Sequence, residues 1–99
     1  MSLVNAQPEA ITAASGNLSG IGNVLSESVG ASSTAISSVM SPASDVVSHF
    51  TAAQFSAHGA LFHHVSAQAA AVHQHIANTL AVNAQSYATA EEVNAAAAV

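Results

Sequence analysis

The sequence predicts an all-α protein built as a helical hairpin of two long antiparallel helices, and three observations carry that expectation. The 99 residues contain two prolines, Pro8 and Pro42, each placed to open a long segment. Inside both segments apolar residues recur in steps of three and four, the period of a helix with one apolar stripe. The alternating pattern and turn dipeptides that strand hairpins require are missing. The expected layout is a single domain, with helix 1 over about residues 8–38, a turn over about 39–43, helix 2 over about 44–86, and a C-terminal tail over 87–99.

Helix 1 opens on Pro8, whose fixed φ and missing N–H suit the first helical position. Glu9 follows in the first turn, where a carboxylate favours the positive end of the helix dipole. Its stripe is Ile11, Ala14, Leu18, Ile21, Leu25, Val29, Ile36 and Val39 or Met40, with Ser32 as the weak position. Gly16, Gly20, Gly22 and Gly30 each lower helix propensity by roughly 1 kcal/mol relative to alanine. Residues 26–38 are also rich in serine, so this helix needs tertiary support. The Gly16-x-x-x-Gly20 spacing reads as a place for close helix approach rather than phosphate binding, because glycine-rich phosphate loops follow strands.

Helix 2 is the stronger helix, uninterrupted by proline after Pro42, with Ser41 as its expected cap and Asp45 close behind. Val47, Phe50, His58, Leu61, Val65, Ala69, Val72, Ile76, Leu80, Asn83 and Tyr87 keep the helical period. Phe55 and Phe62 form a flanking row that widens the stripe. Residues 94–99 read as a frayed alanine tail. Two stacked helices bury one side of each, and so wide a stripe calls for a second pair of helices to complete a four-helix bundle. Periodicity leaves open whether that second pair is another copy or a different protein.

Composition narrows the functions. Half of the chain is apolar (51%) but mostly alanine, with three Phe, one Tyr and no Trp to fill a core. So thin a core predicts an obligate partner or self-association. There is no lysine or arginine, and five carboxylates set the formal charge at −5, which excludes nucleic-acid or anionic-membrane binding through a basic patch. Residues 1–7 lack the positive n-region and apolar core of a secretory signal, and no transmembrane segment is expected. Without cysteine there are no disulfides, thiolate metal sites or cysteine nucleophiles.

No catalytic residues and no cofactor are expected. Gly16-Asn17-Leu18-Ser19-Gly20 is not a Gly-x-Ser-x-Gly elbow and lacks the strand an elbow needs. The paired carboxylates Glu91 and Glu92 are adjacent and near an end, which suits neither a glycosidase nor a metal site. The histidines His49, His58, His63, His64, His73 and His75 include no i,i+3 or i,i+4 pair, so no metal is expected. On a helical wheel His58 falls within the apolar stripe as an interface histidine and His73 on its edge. His49, His63, His64 and His75 fall on a solvated side. Protonating all six would move the charge from −5 to +1, which makes pH sensing a further reading of them.

Several of these residues together resemble the mycobacterial PE family. They are the Pro8-Glu9 pair, the stretch Pro42-Ala43-Ser44-Asp45-Val46-Val47-Ser48, the downstream Phe55, and Tyr87-Ala88-Thr89-Ala90-Glu91. The resemblance covers essentially the whole chain and is to a PE-only member, with no glycine-rich repeat array or hydrolase appended. Ser41 and Ser44 depart from the usual proline and alanine, and the six histidines are also unusual. The resemblance implies a non-enzymatic interaction subunit whose hairpin forms an obligate heterodimer with a PPE-family protein. It further implies an EspG-type chaperone bound to the PPE subunit in the cytoplasm, and export through a type VII secretion system to a secreted or cell-surface location.

The Y-x-x-x-[D/E] export signal of that pathway corresponds to Tyr87 and Glu91, four residues apart and so on one helix face. The expected partner interface comprises Ile11, Leu18, Ile21, Leu25, Val29, Phe50, Phe55, His58, Leu61, Phe62, Val65, Val72, Ile76 and Leu80. An uncharged helix face suits such an interface, because no long cation has to be desolvated. The alternative is a self-associating, homodimeric secreted hairpin. The small type VII substrates of that kind carry a Trp-x-Gly turn, and this chain has no Trp.

Overall fold

The computed structural model describes residues 5–98 and contains two helices, α1 (Pro8–Ser37) and α2 (Val46–Ala97), with no strand among those residues. The all-α helical hairpin read from the sequence is therefore the observed fold. The first four residues and the last residue of the expected C-terminal tail lie outside the described residues.

Helix α1 starts at Pro8, where the Ala10 and Ile11 N–H groups both donate to the Gln7 carbonyl, at 3.0 and 3.3 Å. Glu9 lies in the first turn, and Thr12 returns its hydroxyl to the Pro8 carbonyl at 3.0 Å. The start of α2 differs from the expectation. Ser41 does not cap it, since its hydroxyl donates to the Ala43 carbonyl, and Pro42 lies in the irregular connection before the helix. Asp45 is the cap. Its Oδ1 accepts the Ser48 N–H at 2.9 Å, its Oδ2 accepts the Ser48 hydroxyl at 2.7 Å, and its carbonyl accepts the His49 N–H at 3.1 Å. The Ser48 N–H, followed by the Ser48 hydroxyl, holds the Asp45 carboxyl below the ordinary aspartate range.

The far end also differs. In place of a helix ending near residue 86 and a frayed tail, α2 continues through Ala97, and the Ala98 N–H still bonds the Asn94 carbonyl at 3.0 Å. The stretch after Tyr87 contains no glycine or proline and is dominated by alanine, the best helix former, so nothing stops the helix there.

The chain divides into two compact units. One joins the start of α1 up to Gly22 with α2 from Val72 onward, and the other is Asn23–Ala71. In each unit the helices meet along a narrow seam in which fully buried small residues alternate with half-buried aliphatic and histidine side chains. In the first, Ile11, Ser15, Leu18 and Gly22 face His73, Ala77, Leu80 and Ala84. Ser15, Ala77 and Ala84 are buried. The Ser15 hydroxyl donates to the Ala77 carbonyl at 2.8 Å, and His73 Nε2 lies 2.5 Å from the Leu18 carbonyl oxygen. In the second unit, Val29, Ser32 and Ile36 face Ala52, Ser56, Gly59 and His63, and the Val39 N–H donates to Ser56 Oγ at 3.0 Å.

The least exposed positions of α2 thus recur in steps of four and three: 52, 56, 59, 63, 66 and 70 in one unit, and 73, 77, 80 and 84 in the other. That is the 3.5-residue repeat of helices that pack side by side along their length.

The closest approach is at Gly59. A Cβ built there would run into the Ile36 carbonyl oxygen and lie 2.5 Å from its carbonyl carbon. Gly22 has a milder version of the same role, since a Cβ there would stand 2.7 Å from the His73 ring. Gly16 and Gly20, expected to admit a neighbouring helix, have open space at their Cβ positions. The glycine that matters is set by the antiparallel register, and a spacing rule on one helix does not detect it.

Candidate partner-binding face

Around α2, Phe55 and Phe62 lie about a quarter turn from the seam of the Asn23–Ala71 unit, and Phe50, Leu61 and Val65 lie nearer the opposite side of the helix. Within Asn23–Ala71, Phe50, Phe55, Leu61, Phe62 and Val65 are all exposed, Phe55 and Leu61 each at 63%. Among the described residues no large side chain is fully buried, and the buried hydrophobics are Ala52, Ala77 and Ala84. The fully buried positions among the described residues are therefore alanine, serine and glycine, with half-buried aliphatics beside them, and the phenylalanines are presented outward.

Two grooves follow from this arrangement. One, of about 490 Å³, runs between the helices beside the Gly59 contact and is lined by Ile36 and Val39 of α1 and its connection and by Phe55, His58 and Phe62 of α2. The second, of about 410 Å³, lies along α2 between Phe50, Gln54, Phe55 and His58. Their walls are almost wholly apolar, and His58 borders both as the single ionisable side chain in either lining.

The expected interface residues separate into two groups. Ile21, Leu25, Phe50, Phe55, His58, Leu61, Phe62, Val65, Val72 and Ile76 are exposed, whereas Ile11, Leu18, Val29 and Leu80 are half-buried in the hairpin's own seams. Pro8 is half-buried and Glu9 exposed at the start of α1. Tyr87 and Glu91 both lie on α2, exposed and one turn apart.

Two histidine placements differ from the helical-wheel expectation. His63, placed on the solvated side by the wheel, lies in the seam with its Nε2 buried, its ring edge-on to Phe62 at 5.9 Å between centroids. His73 lies in the other seam, bonded to Leu18. The wheel misplaces them because it takes the centre of the large residues as the buried direction, and the seam follows the small ones. Among the described residues no group of three or more His, Cys, Asp or Glu side chains converges to hold a metal ion. No helix among them is long and apolar enough to cross a membrane.

Comparison with known proteins agrees with this architecture. The sequence profile of the PE family matches residues 4–94. The chain belongs to the PE family. It is 47% identical over 98 residues to PE family protein PE13 of Mycobacterium tuberculosis, a match covering 99% of both chains. It is 41% identical to PE-PGRS family protein PE_PGRS8 and 40% identical to Esterase PE16 of the same organism. Those matches cover 97% of this chain but 55% and 18% of the two relatives. The PE hairpin is thus shared with much longer proteins, and the word esterase in one name belongs to a protein of which it forms less than a fifth.

Proposed function

We propose that this PE chain is a non-enzymatic interaction subunit that forms an obligate heterodimer with a PPE-family protein. The pair is exported through a type VII secretion system after an EspG-type chaperone has held the PPE subunit in the cytoplasm. The observation that carries this reading is the outward display of Phe50, Phe55, Leu61 and Phe62 by a hairpin whose buried hydrophobics, among the described residues, are three alanines. Burying one large apolar side chain is worth about 1.5–3 kcal/mol, so covering this face supplies what the hairpin's own seams do not. The occupant that fits is a pair of helices with an equally apolar face, which completes a four-helix bundle.

Tyr87 and Glu91, exposed one turn apart near the end of α2, are the proposed export signal. Their positions leave both side chains accessible to a receptor at the end of the hairpin. The secreted or cell-surface location rests on the same signal.

Co-expression tests the proposal. The chain expressed alone is expected to be insoluble or aggregated, and co-expression with a PPE protein is expected to yield a soluble helical complex. A soluble, helical dimer obtained without any partner would replace this reading with the homodimeric one.

A further inference from the structure

His58 and Phe55 are the two residues common to both groove linings, so together they form the ridge between the grooves. Around α2 the His58 ring falls between two apolar rows, with Phe55 and Phe62 on one side and Phe50 and Leu61 on the other. It is exposed in the hairpin. A partner that fills both grooves closes over the imidazole from two sides and displaces its water.

That burial sets a chemical requirement. Every form of an imidazole carries at least one N–H, and a donor buried without an acceptor loses its bonds to water with nothing in return. The hairpin does not meet the need itself. Gln54 lies one turn before His58 in the second groove, but among the described residues no hydrogen bond joins the two, whereas Gln68 and His64 at the same spacing stand 3.5 Å apart. The two hydroxyls of the linings lie further off along their helices. Thr51 precedes His58 by seven residues, about 10 Å of helix, and donates to the Val47 carbonyl. Ser32 lies on α1 one turn before Ile36, the residue that meets Gly59, and donates to the Val29 carbonyl.

A partner helix uses its backbone carbonyls on its own N–H groups, so the acceptor has to come from a side chain. A carboxylate suits the site poorly, because this chain has no lysine or arginine to share its charge. A hydroxyl or carboxamide both donates and accepts, and so serves either ring nitrogen without bringing a charge into the interface.

We propose that His58 selects the partner. The PPE helix that covers this face fills both grooves with apolar side chains and places a hydroxyl or carboxamide between them, hydrogen-bonded to the His58 ring. This assignment rests on the PPE pairing proposed above, and it adds a polar specificity contact to an otherwise apolar face.

The test is a competition. Native and variant full-length chains are co-expressed in equal amounts with one PPE protein that retains the native chain and carries the only tag, and the share of each chain retained is read by mass spectrometry. Leucine is of similar size to histidine and more apolar, so burial alone would favour His58→Leu. The native chain is instead expected to exceed His58→Leu by at least about tenfold, because the partner's polar group is left unpaired. His58→Gln restores a donor and an acceptor and should be retained within about threefold of native. Gln54→Leu should compete as the native chain does, and so should His49→Leu, nine residues away and on the opposite side of α2.

Alanine substitution of each Ser, Thr, Asn, Gln, Asp and Glu on the PPE helices then locates the contact. One hydroxyl or carboxamide should matter against the native chain and not against His58→Leu. In the native complex the His58 ring N–H should also be visible by NMR and protected from solvent, a readout that needs no variant. His58→Leu retained as well as native, His58→Gln lost as fully as His58→Leu, an equal loss in Gln54→Leu or His49→Leu, coupling to a carboxylate, or an unprotected ring N–H would each overturn the proposal while the pairing itself stands. A native chain that no PPE protein retains would remove the pairing and the His58 contact together.

Discussion

Replacing Gly59 by alanine adds one methyl group where α2 meets the α1 backbone. In an exposed helix interior the change stabilises by about 1 kcal/mol, because alanine is the better helix former. At Gly59 the new Cβ would overlap the Ile36 carbonyl oxygen, lie 2.5 Å from the carbonyl carbon and 3.2 Å from the Ser37 nitrogen. Carbon atoms rest about 3.5–4.0 Å apart, so the helices must separate locally by about 1 Å or more. The atoms in the way are backbone and cannot rotate aside. Overpacking of this kind costs about 1–3 kcal/mol, so the expected net effect is a destabilisation of up to about 2 kcal/mol.

For a domain of this size each kcal/mol lowers Tm by about 4–8 °C, which circular dichroism melting of the full chain or its complex resolves readily. Gly16→Ala, Gly20→Ala and Gly30→Ala have open space at the new Cβ and should raise Tm by the propensity gain. The reasoning is refuted if Gly59→Ala melts at or above the native temperature, in step with those three.

Other substitutions test separate parts of the account. Ser15→Ala removes the buried hydroxyl bonded to the Ala77 carbonyl, which keeps its place in α2, so the loss should be about 0.5–1.5 kcal/mol in a denaturant titration. Asp45→Ala should shorten α2 at its start. Because the folded-state carboxyl is held below its ordinary range, its contribution is present at neutral pH and is lost as pH falls below about 4, so native and variant melts should converge there. Phe55→Asp or Phe62→Asp changes an exposed side chain and should leave the hairpin helical, while a charge in the covered interface should weaken partner binding at least about 30-fold by titration calorimetry. Tyr87→Ala or Glu91→Ala should remove the pair from the culture filtrate with the purified complex intact. Wild-type levels of the double variant outside the cell would cancel the signal assignment.

The helices were legible because their signals are local. Pro8 with Glu9, the 3.6-residue recurrence and the absence of proline after Pro42 each act within one turn or along one face. What the sequence misplaced depends on which face meets which. A search for the buried side of α2 follows Phe50, Leu61 and Val65, but the hairpin closes on Ala52, Gly59 and Ala77, because small residues let the backbones approach while large ones do not. His63 was misread for the same reason. Its 3.5-residue seam neighbours, Ser56 and Ser66 among them, carry no hydrophobic signal, so only the register across to α1 exposes the position. The start of α2 was decided by a competition between Ser41 and Asp45, both acceptable caps by type, which Ser48 settles by supplying two donors to one carboxylate.

The proposal that a different protein covers the aromatic face of this PE hairpin is tested most directly by the mass of the native assembly. The chain is co-expressed with a PPE protein, purified through a tag on that protein alone, and weighed in solution by light scattering. The account predicts that the untagged PE chain co-purifies in a one-to-one complex, and that the chain expressed by itself gives no stable folded species. A stable, helical homodimer of the chain alone, with no PPE protein retained under the same conditions, would contradict it.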